Sequence, residues 1–306
     1  MSNTYIITGA TSFIGSWLIR QLLSNGHQVV AVCRNKEKAE TMLGRRANLR
    51  VTEATLDHYD QMSETISSAD IFIHLAWEGT SHQGRNISDV QQANIRHSVE
   101  AMHVAAKLGC RLFVMAGSQA EYGTCLERIT EETPCHPFSE YGKAKLEVCR
   151  QGFPLAEQLG MKYLHLRIFS LYGEGDHPWT MVMNSIDHML KNEPVPLSAC
   201  TQQWNFLYVG DAAQQIALLC QYALQTDSFR HEIFNIASDD TRQLRCFVEA
   251  IYQEAHSSSE LQFGAVPQQN IVSLNPDTSK LRNAIHFVSS ADFNNTIQSI
   301  IHSIIH

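Results

Sequence analysis

A strand, a glycine-containing turn and a helix follow one another at the amino terminus, and this order constrains the fold more than any other feature. The sequence predicts an apolar strand over residues 4–8 (TYIIT) and an amphipathic helix over 13–25, joined through GATSFIG at residues 9–15. Gly9 permits a tight turn, and Gly15 permits close packing of the helix against the strand. Because the free N–H groups at a helix start attract anions, this segment predicts a binding site for a dinucleotide pyrophosphate.

Strand and helix patterns go on alternating through the first half of the chain. Further strands are predicted over 28–33, 49–55, 70–75, 111–116 and 162–168, and further helices over 36–43, 59–67, 88–108 and 141–159. Apolar strands that alternate with helices are typical of a parallel sheet covered on both faces. The fold class predicted is therefore α/β, a Rossmann-type doubly wound parallel sheet, in which ligands bind at the carboxyl ends of the strands.

The pattern becomes less regular from about Leu171, where glycine and proline recur. We expect residues 1–170 to form the dinucleotide-binding Rossmann domain and residues 171–306 to form mainly a smaller C-terminal substrate lobe. Segment 232–238 (EIFNIAS) is predicted to return toward the core as a strand. Isoleucines at helical spacing over 297–305 predict a terminal helix that packs on the substrate lobe.

The composition bounds the function as well as the fold. A hydrophobic content of 44% suffices for a substantial core, and a net charge of −8 argues against nucleic acid and anionic membrane surfaces as partners. No apolar run approaches the ~20 residues of a spanning helix, and the first strand begins too early to leave room for a signal peptide. Eight scattered cysteines without a C-x-x-C pair, and no H-E-x-x-H sequence, predict a cytoplasmic protein with reduced thiols and no metal.

A Tyr-x-x-x-Lys sequence, Tyr141 to Lys145 (YGKAK), lies in the helix predicted over 141–159. Residues four apart share one face of a helix, so the phenol and the ammonium group are expected side by side. Because a cation favours the phenolate, Lys145 is expected to lower the pKa of Tyr141, which could then exchange a proton with a sugar-like oxygen near neutral pH. Taken alone, so short a pattern is also compatible with an ordinary solvated helix face.

Segments along nearly the whole chain resemble the extended short-chain dehydrogenases/reductases, in the group of nucleotide-sugar epimerases, dehydratases and reductases. TGATSFIG at 8–15 is similar to the family's TGATGFIG, and HLA at 74–76 is similar to its HxAA. MAGSQAEYG at 115–123 is similar to SSxxVYG. RIFSLYG at 167–173 is similar to RxxNxYG, and FLYVGDAA at 206–213 is similar to YVxDxA. Their order and spacing, together with Tyr141 and Lys145, indicate the superfamily more specifically than they indicate the substrate.

The resemblance implies a nicotinamide dinucleotide cofactor, a nucleotide-sugar substrate and a homodimer formed through the helices at 88–108 and 141–159. It implies that Tyr141 is the general acid/base, that Lys145 tunes it and reaches the ribose hydroxyls, and that Ser118 hydrogen-bonds the reacting oxygen. Together with the arguments from individual residues, it gives a cofactor-binding set of Gly9, Thr11, Ser12, Phe13, Ile14, Gly15, Arg34, Asp57, His74, Leu75, Ala76, Asn94, Tyr141 and Lys145. The candidate substrate contacts are Trp77, Gln119, Ser170 and Trp204.

Departures from the family pattern bear on the reaction. Ser12 replaces the middle fingerprint glycine, Ser170 replaces the asparagine of RxxNxYG, and Trp204 lies where a phosphate-binding arginine is often found. Family dehydratases carry an Asp-Glu pair after the serine position, whereas Gln119 and an alanine follow Ser118, which argues against a 4,6-dehydratase. Reduction of a 4-keto sugar and epimerisation at C4 both stay open, and a non-catalytic dinucleotide sensor or scaffold is a more distant alternative.

The end of the second predicted strand bears on the choice of cofactor. Cys33, Arg34 and Asn35 stand there without the acid that binds the ribose 2′-hydroxyl in NAD-selective sites. Arg34 could pair with a 2′-phosphate, helped by Lys36 or Lys38. The sequence therefore favours NADP over NAD, and a dissociable NADPH favours a 4-keto-sugar reductase over a 4-epimerase with tightly bound NAD.

Overall fold

The computed structural model describes residues 2–267, 272–289 and 291–306. The strands of its main sheet are β1 Thr4–Thr8, β2 Gln28–Cys33, β3 Leu49–Glu53, β4 Ile71–His74, β5 Leu112–Ser118, β6 Lys162–Ile168 and β10 His231–Ile236. All of them pair in parallel, in the order β10-β6-β5-β4-β1-β2-β3. The predicted α/β fold of Rossmann type is therefore confirmed.

Helices cover both faces of this sheet. The helices of the described residues are α1 Phe13–Ser24, α2 Lys36–Leu43, α3 Met62–Thr65, α4 Ser88–Lys107, α5 Glu140–Gln158, α6 Met181–Leu190, α7 Val209–Gln225, α8 Leu244–Glu254, α9 Ser279–Ile285 and α10 Phe293–Ile305. On β1, Tyr5 and Ile7 join the core beneath α1 and α7, while Ile6 joins the core beneath α4 and α5. Because strand side chains alternate between faces, burial on both faces requires a continuous apolar strand, as residues 4–8 provide.

The helix predicted over 59–67 is the clearest difference between prediction and structure. A 3₁₀ turn at Leu56–Gln61 and the four-residue helix α3 occupy this region instead. The residues before Met62 take the tighter 3₁₀ geometry, and the extended backbone of Ile66, with φ −113° and ψ 120°, ends α3 after Thr65. The predicted segment therefore contains a 3₁₀ turn and a short helix in place of one regular helix.

A second, smaller core forms from the later part of the chain. Its strands are β7 Ser170–Tyr172, β9 Gln203–Tyr208 and β11 Thr241–Gln243 in one small sheet, and β8 Val195–Leu197 with β12 Leu261–Phe263 in another. The buried face of α10, with Ile297, Ile300 and Ile301, packs in this core. The division of the chain at residue 170 stays a prediction, because α7 and β10 both pack with the first part of the chain. Among the described residues, no helix combines the length and apolarity needed to cross a membrane.

Candidate active site

The order in which strands are added to the main sheet reverses between β1 and β4, and this switch point creates a crevice at the carboxyl ends of the strands. The chain runs outward from β1 through β2 to β3, and then returns to β4 on the other side of β1. Thr8 pairs with His74 in the last register position of this junction. The connections that follow β1 and β4 lead away in opposite directions, so the loops on the two sides leave the space between them open.

The glycine turn after β1 forms one wall of the crevice. Gly9 has φ +68°, and a Cβ on it would lie 2.9 Å from the backbone nitrogen of Ala76. A Cβ on Gly15 would lie 2.4 Å from the carbonyl oxygen of Gly9. Ser12 caps α1, since its hydroxyl oxygen accepts a hydrogen bond of 3.1 Å from the Gly15 N–H. A side chain at either glycine would therefore disrupt the turn. With glycine at both positions the start of α1 stays open, and such a helix start fits a pyrophosphate.

The crevice has a volume of about 320 Å³. Seven of the residues predicted from the sequence line it, namely Gly9, Thr11, Ser12, Arg34, Leu75, Ala76 and Trp77. The structure adds Lys38, Tyr59, Glu78, Thr80 and His177 to the lining. Of these, only Lys38 was considered from the sequence, because the others belong to no motif and reach the crevice through the folding of separate loops.

Three other predicted cofactor residues are occupied by contacts within the protein. The Asp57 carboxylate lies 2.8 Å from His97 Nε2. His74 is buried with its Nδ1 2.8 Å from the Thr8 hydroxyl, and burial, followed by the charge of Lys145, lowers its pKa to about 3. Asn94 is buried and holds the loop after β4, accepting from the Glu78 N–H and donating to the Glu78 carbonyl at 3.0 Å each. The contacts of His74 and Asn94 hold segments that border the crevice, namely Thr8 before Gly9 and Glu78 after Trp77.

The start of α5 places Tyr141 next to the turn that follows β5. Ser139 caps α5 by accepting a 3.1 Å hydrogen bond from the Gly142 N–H. A Cβ on Gly142 would lie 2.5 Å from the carbonyl oxygen of Ala120, so glycine allows the helix to approach this turn closely. The Tyr141 ring meets Trp77 edge to face, with ring centres 6.0 Å apart. Trp77 therefore joins the crevice to the predicted catalytic helix.

The pKa of Tyr141 moves in the direction opposite to the one expected from the sequence. Tyr141 is half-buried, and burial raises its pKa, while the Arg85 guanidinium and a hydrogen bond with Ser118 lower it by less. Arg85 lies 5.0 Å from the centre of the Tyr141 ring. Burial outweighs these two groups because the free energy needed to remove a phenolate from water exceeds the stabilisation that the two groups provide. The hydroxyl group therefore stays protonated through neutral pH.

Lys145 lies under the same wall, in contact with Trp77. Its Nζ lies 3.5 Å from the Trp77 ring centre and 5.7 Å from the Tyr141 ring centre, and it donates a 2.6 Å hydrogen bond to the Ala116 carbonyl. The side chain is buried, and burial lowers its pKa to about 7 against the opposing effect of Glu121. The nearest aromatic contact of the ammonium group is therefore a cation–π contact with Trp77, and the expected partner, the Tyr141 ring, lies farther away.

Ser118 ends β5 and is buried beside these two residues. Its hydroxyl oxygen accepts a hydrogen bond from the Ala120 N–H at 3.1 Å, and its own N–H donates to Glu121 Oε1 at 2.8 Å. The structure therefore brings Ser118, Tyr141, Lys145 and Trp77 together at one border of the crevice.

The remaining predicted substrate contacts lie apart in the chain. Gln119 begins a 3₁₀ turn directly after Ser118. Ser170 begins β7, and Trp204 lies on β9 opposite Arg242 of β11. Both of these residues belong to the three-stranded sheet of the smaller core. Their roles in binding substrate stay predictions.

A buried charge cluster behind Ser118 was missed by the prediction of site residues. Glu121 Oε1 lies 2.9 Å from His165 Nε2, and Glu121 Oε2 accepts a 2.9 Å hydrogen bond from Arg167 Nε. The available signal was a glutamate where the family's SSxxVYG pattern has valine. Glu121, Cys149 and His165 have ligand atoms within 4.8 Å of one another. Both oxygens of Glu121 already bind the two cationic side chains, so we interpret the group as an ion-pair cluster.

The fold and this border define a class of protein. A parallel sheet with a glycine turn at its switch point, and serine, tyrosine and lysine beside the same crevice, are the features of a dinucleotide-dependent short-chain dehydrogenase/reductase. The model of the NAD dependent epimerase/dehydratase family matches residues 5–237, and the chain belongs to this family. It is an enzyme of the extended short-chain dehydrogenase/reductase type, as the resemblance in sequence predicted.

Relatives of known activity are similar over most of their length. A dTDP-6-deoxy-L-talose 4-dehydrogenase (NAD(+)) from Aggregatibacter actinomycetemcomitans is 25% identical over 88% of this chain and 97% of its own. A CDP-abequose synthase from Salmonella muenchen is 21% identical over 87% of this chain and 85% of its own. The structure of a UDP-glucuronic acid 4-epimerase from Bacillus cereus, in complex with UDP-glucuronic acid and NAD, has a TM-score of 0.84 at 19% identity, covering 98% of this chain and 99% of its own. This structural likeness shows a shared fold.

Proposed function

We propose that the enzyme reduces the C4 keto group of a nucleotide-linked sugar with a nicotinamide dinucleotide. The observation that carries this proposal is the position of the Tyr141 phenol, which meets Trp77 at the crevice and lies on the same helix as Lys145. A protonated phenol at this place can supply the proton that a carbonyl oxygen takes up as it is reduced. The relative from A. actinomycetemcomitans is named as a 4-dehydrogenase, which supports chemistry at the same carbon.

Each residue at the border of the crevice has one role in this mechanism. Ser118 holds the keto oxygen through its hydroxyl group, and Tyr141 donates a proton to that oxygen. Lys145 places a positive charge near the phenolate that forms, which stabilises it. The glycine turn and the start of α1 hold the pyrophosphate, and Trp77 orients the sugar against the crevice. The nicotinamide supplies the hydride when the dinucleotide is bound.

Dehydration is disfavoured because Ser118 lacks carboxylates of the required kind beside it. Gln119 and Ala120 follow it in the chain. Glu121 comes next, but its carboxylate is fully buried and paired with His165 and Arg167. A carboxylate held in this way is unavailable to remove a proton from a sugar carbon.

Epimerisation at C4 with a retained NAD is the second candidate function. It needs the same serine, tyrosine and lysine. The B. cereus structure with the shared fold is that of a 4-epimerase in complex with NAD, which supports this candidate. The two candidates differ in whether the cofactor is consumed, so a measurement of cofactor turnover separates them.

The decisive experiment is incubation of the enzyme with NADPH or NADH and a panel of nucleotide-linked sugars and their 4-keto forms. We expect the absorbance of the reduced nicotinamide to fall in proportion to a product that NMR and mass spectrometry identify as reduced at C4. Conversion of a sugar nucleotide to its C4 epimer without net loss of the cofactor would instead establish an epimerase. Cofactor binding without turnover of any substrate would support a sensor or scaffold.

The finer part of the proposal is a preference for NADP(H). Arg34 and Lys38 line the crevice near the end of β2, where NAD-selective sites carry an acid. Arg34 Nη1 lies 3.7 Å from a Glu78 carboxylate oxygen on the opposite side of the crevice, and both side chains are exposed. A 2′-phosphate would compete with Glu78 for Arg34, so Glu78 moderates the preference.

Two substitutions test this preference. Arg34→Ala is expected to lower the ratio of NADPH affinity to NADH affinity by about tenfold, because one charge-assisted contact is lost. Glu78→Gln is expected to raise the same ratio, because the competing carboxylate is removed. The dissociation constants can be measured by fluorescence titration, with the exposed Arg45→Ala as the matched control. An unchanged ratio in both variants would contradict the assignment of Arg34.

We also propose a homodimer formed through α4 and α5, which pack against each other on one face of the sheet. Gln92 of α4 and Gln151 of α5 border a shallow surface cavity on this face, beside Arg150. Sedimentation velocity at micromolar concentration is expected to show twice the chain mass of 34.5 kDa. The double substitution Gln92→Arg and Gln151→Arg should yield a monomer by like-charge repulsion, whereas Gln253→Arg on α8 should not. A monomeric unmodified enzyme would refute the proposal.

A further inference from the structure

The carboxylate of Glu121 is the meeting point of three elements that build the active site. It is fully buried, and it lies in the 3₁₀ turn Gln119–Glu121 that follows β5. One of its oxygens accepts from the Ser118 N–H at 2.8 Å and lies 2.9 Å from His165 Nε2, while the other accepts from Arg167 Nε at 2.9 Å. Glu121 therefore ties the end of β5 to β6.

The strand itself is shaped to admit this carboxylate. A Cβ on Gly117 would lie 2.6 Å from Glu121 Oε1 and 2.3 Å from His165 Nε2, so only glycine leaves room for both groups. The family pattern SSxxVYG has serine and valine where this chain has Gly117 and Glu121. The two departures fit together, because the loss of a side chain at one position opens the space that the carboxylate at the other occupies.

The charges of the cluster are held in the ionised state. Burial alone would raise the pKa of Glu121, but His165 and Arg167 outweigh it and lower the pKa to about 2. Burial would lower the pKa of His165, but Glu121 and the neighbouring Cys149 outweigh it and raise the pKa to about 9. Arg167 also donates to the carbonyl of Glu131 at 3.1 Å and lies 4.4 Å from the Tyr122 ring centre. The cluster is therefore fully satisfied and charged across the neutral pH range.

The turn that Glu121 closes packs against the start of α5, the helix that carries Tyr141 and Lys145. Gly142 of α5 approaches the carbonyl oxygen of Ala120 so closely that a Cβ would lie 2.5 Å from it. Lys145 donates to the carbonyl of Ala116, two residues before Ser118 on β5. A shift of this turn would move the Ser118 hydroxyl and the residues of α5 relative to each other, and a misplacement of about 1 Å can cost about 10²-fold in rate.

We infer that Glu121 is a positioning residue, which fixes Ser118 relative to Tyr141 and Lys145 by accepting its N–H while His165 and Arg167 hold the carboxylate in place. Its consequence for catalysis rests on the reductase or epimerase function proposed above. The position of the Ser118 N–H does not rest on that function, so the inference can be tested even where no substrate is turned over.

The test uses Glu121→Gln and Glu121→Asp in the full-length enzyme, with Glu140→Gln as the matched control. Glu140 is a half-exposed carboxylate at the start of α5, which pairs with Lys143 outside the cluster. Glutamine keeps the shape of the side chain and removes its charge, whereas aspartate keeps the charge and withdraws it from the Ser118 N–H. Folding is checked by circular dichroism and by thermal melting.

The readout that is independent of activity is amide hydrogen exchange, followed by NMR. We expect exchange at the Ser118 N–H to become about tenfold faster in Glu121→Asp, whose carboxylate is withdrawn from it, as expected from the loss of one hydrogen bond of about 1.4 kcal/mol. In Glu121→Gln a single acceptor oxygen replaces the two that serve Ser118 and Arg167, so exchange should become faster by a smaller factor. The amide of Val114, in the middle of β5, should keep its protection. The control should match the unmodified protein at both positions.

The catalytic test compares the effect of the substitution on kcat with its effect on the dissociation constant of the dinucleotide. We expect kcat to fall about 30-fold in Glu121→Gln while the dissociation constant of the dinucleotide stays within twofold, because the crevice wall is built by other residues. Folded variants with unchanged exchange at Ser118 would overturn the inference. Failure of both variants to fold would also overturn it, by assigning Glu121 to stability alone. Faster exchange at Ser118 in the variants, together with no turnover by the unmodified enzyme, would support the positioning role and refute the proposed function instead.

Discussion

Replacing Tyr141 with Phe is expected to lower kcat by about 10²–10⁴-fold, the range over which a positioned general acid accelerates a reaction. The substitution removes only the hydroxyl group, so the edge-to-face contact with Trp77 and the packing of α5 should persist. The dissociation constants of NADPH and NADH should stay within twofold, because the substitution leaves untouched the glycine turn that we propose as the pyrophosphate site. Steady-state kinetics and fluorescence titration of the same preparation measure the two quantities.

Tyr222→Phe is the matched control for this prediction. Tyr222 lies on α7, with its ring centre 6.1 Å from that of Phe229, on the helix that packs against α1. Loss of its hydroxyl group should leave kcat unchanged. Full activity of Tyr141→Phe would refute the assignment of Tyr141 as the proton donor, whatever else the crevice binds.

Replacing Lys145 with Met is expected to lower kcat by about 10²-fold and to remove one limb of the pH profile. The Lys145 ammonium lies 5.7 Å from the Tyr141 ring centre, and we propose that it stabilises the phenolate that forms as the proton leaves. Burial lowers the pKa of Lys145 to about 7, so the charge is present below that pH and is lost above it. In the unmodified enzyme kcat for reduction should therefore decrease as the pH rises through about 7, and in Lys145→Met this decrease should be absent.

Lys143→Met provides the control, since Lys143 lies on the same helix but is exposed and paired with Glu140. It should preserve both kcat and the pH profile. Methionine fits the apolar contact with Trp77, so we expect Lys145→Met to stay folded, as circular dichroism can verify. A pH profile of Lys145→Met that still falls near pH 7 would show that another group is responsible for the limb.

Much of this architecture could be predicted from local sequence. The strand over 4–8 and the helix over 36–43 have the bounds expected, because strand and helix periods and the turn residues between them are local properties. The motif TGATSFIG led directly to the glycine turn, and Tyr141 and Ser118 were found through their motifs. These predictions depended on spacing along the chain, which survives folding unchanged.

The pKa prediction that failed and the contacts that were missed depended on burial and on partners distant in sequence. The pKa of Tyr141 was expected to be lowered by Lys145, but burial raises it. The pairing of Arg34 with Glu78 joins loops that follow different strands. The cluster of Glu121, His165 and Arg167 joins the turn after β5 to β6, whose adjacency depends on the order of the sheet. Spacing along the chain carries little information about such contacts.

The sequence by itself determined the fold class, the glycine turn, the family and the three residues Ser118, Tyr141 and Lys145. Only the tertiary structure decided the protonation tendencies of these residues, the place of Trp77 between the lysine and the crevice, and the charged support behind Ser118. The physical reason is that motifs reflect geometry within a few turns of backbone, whereas a pKa depends on the water excluded and the charges gathered by the entire fold.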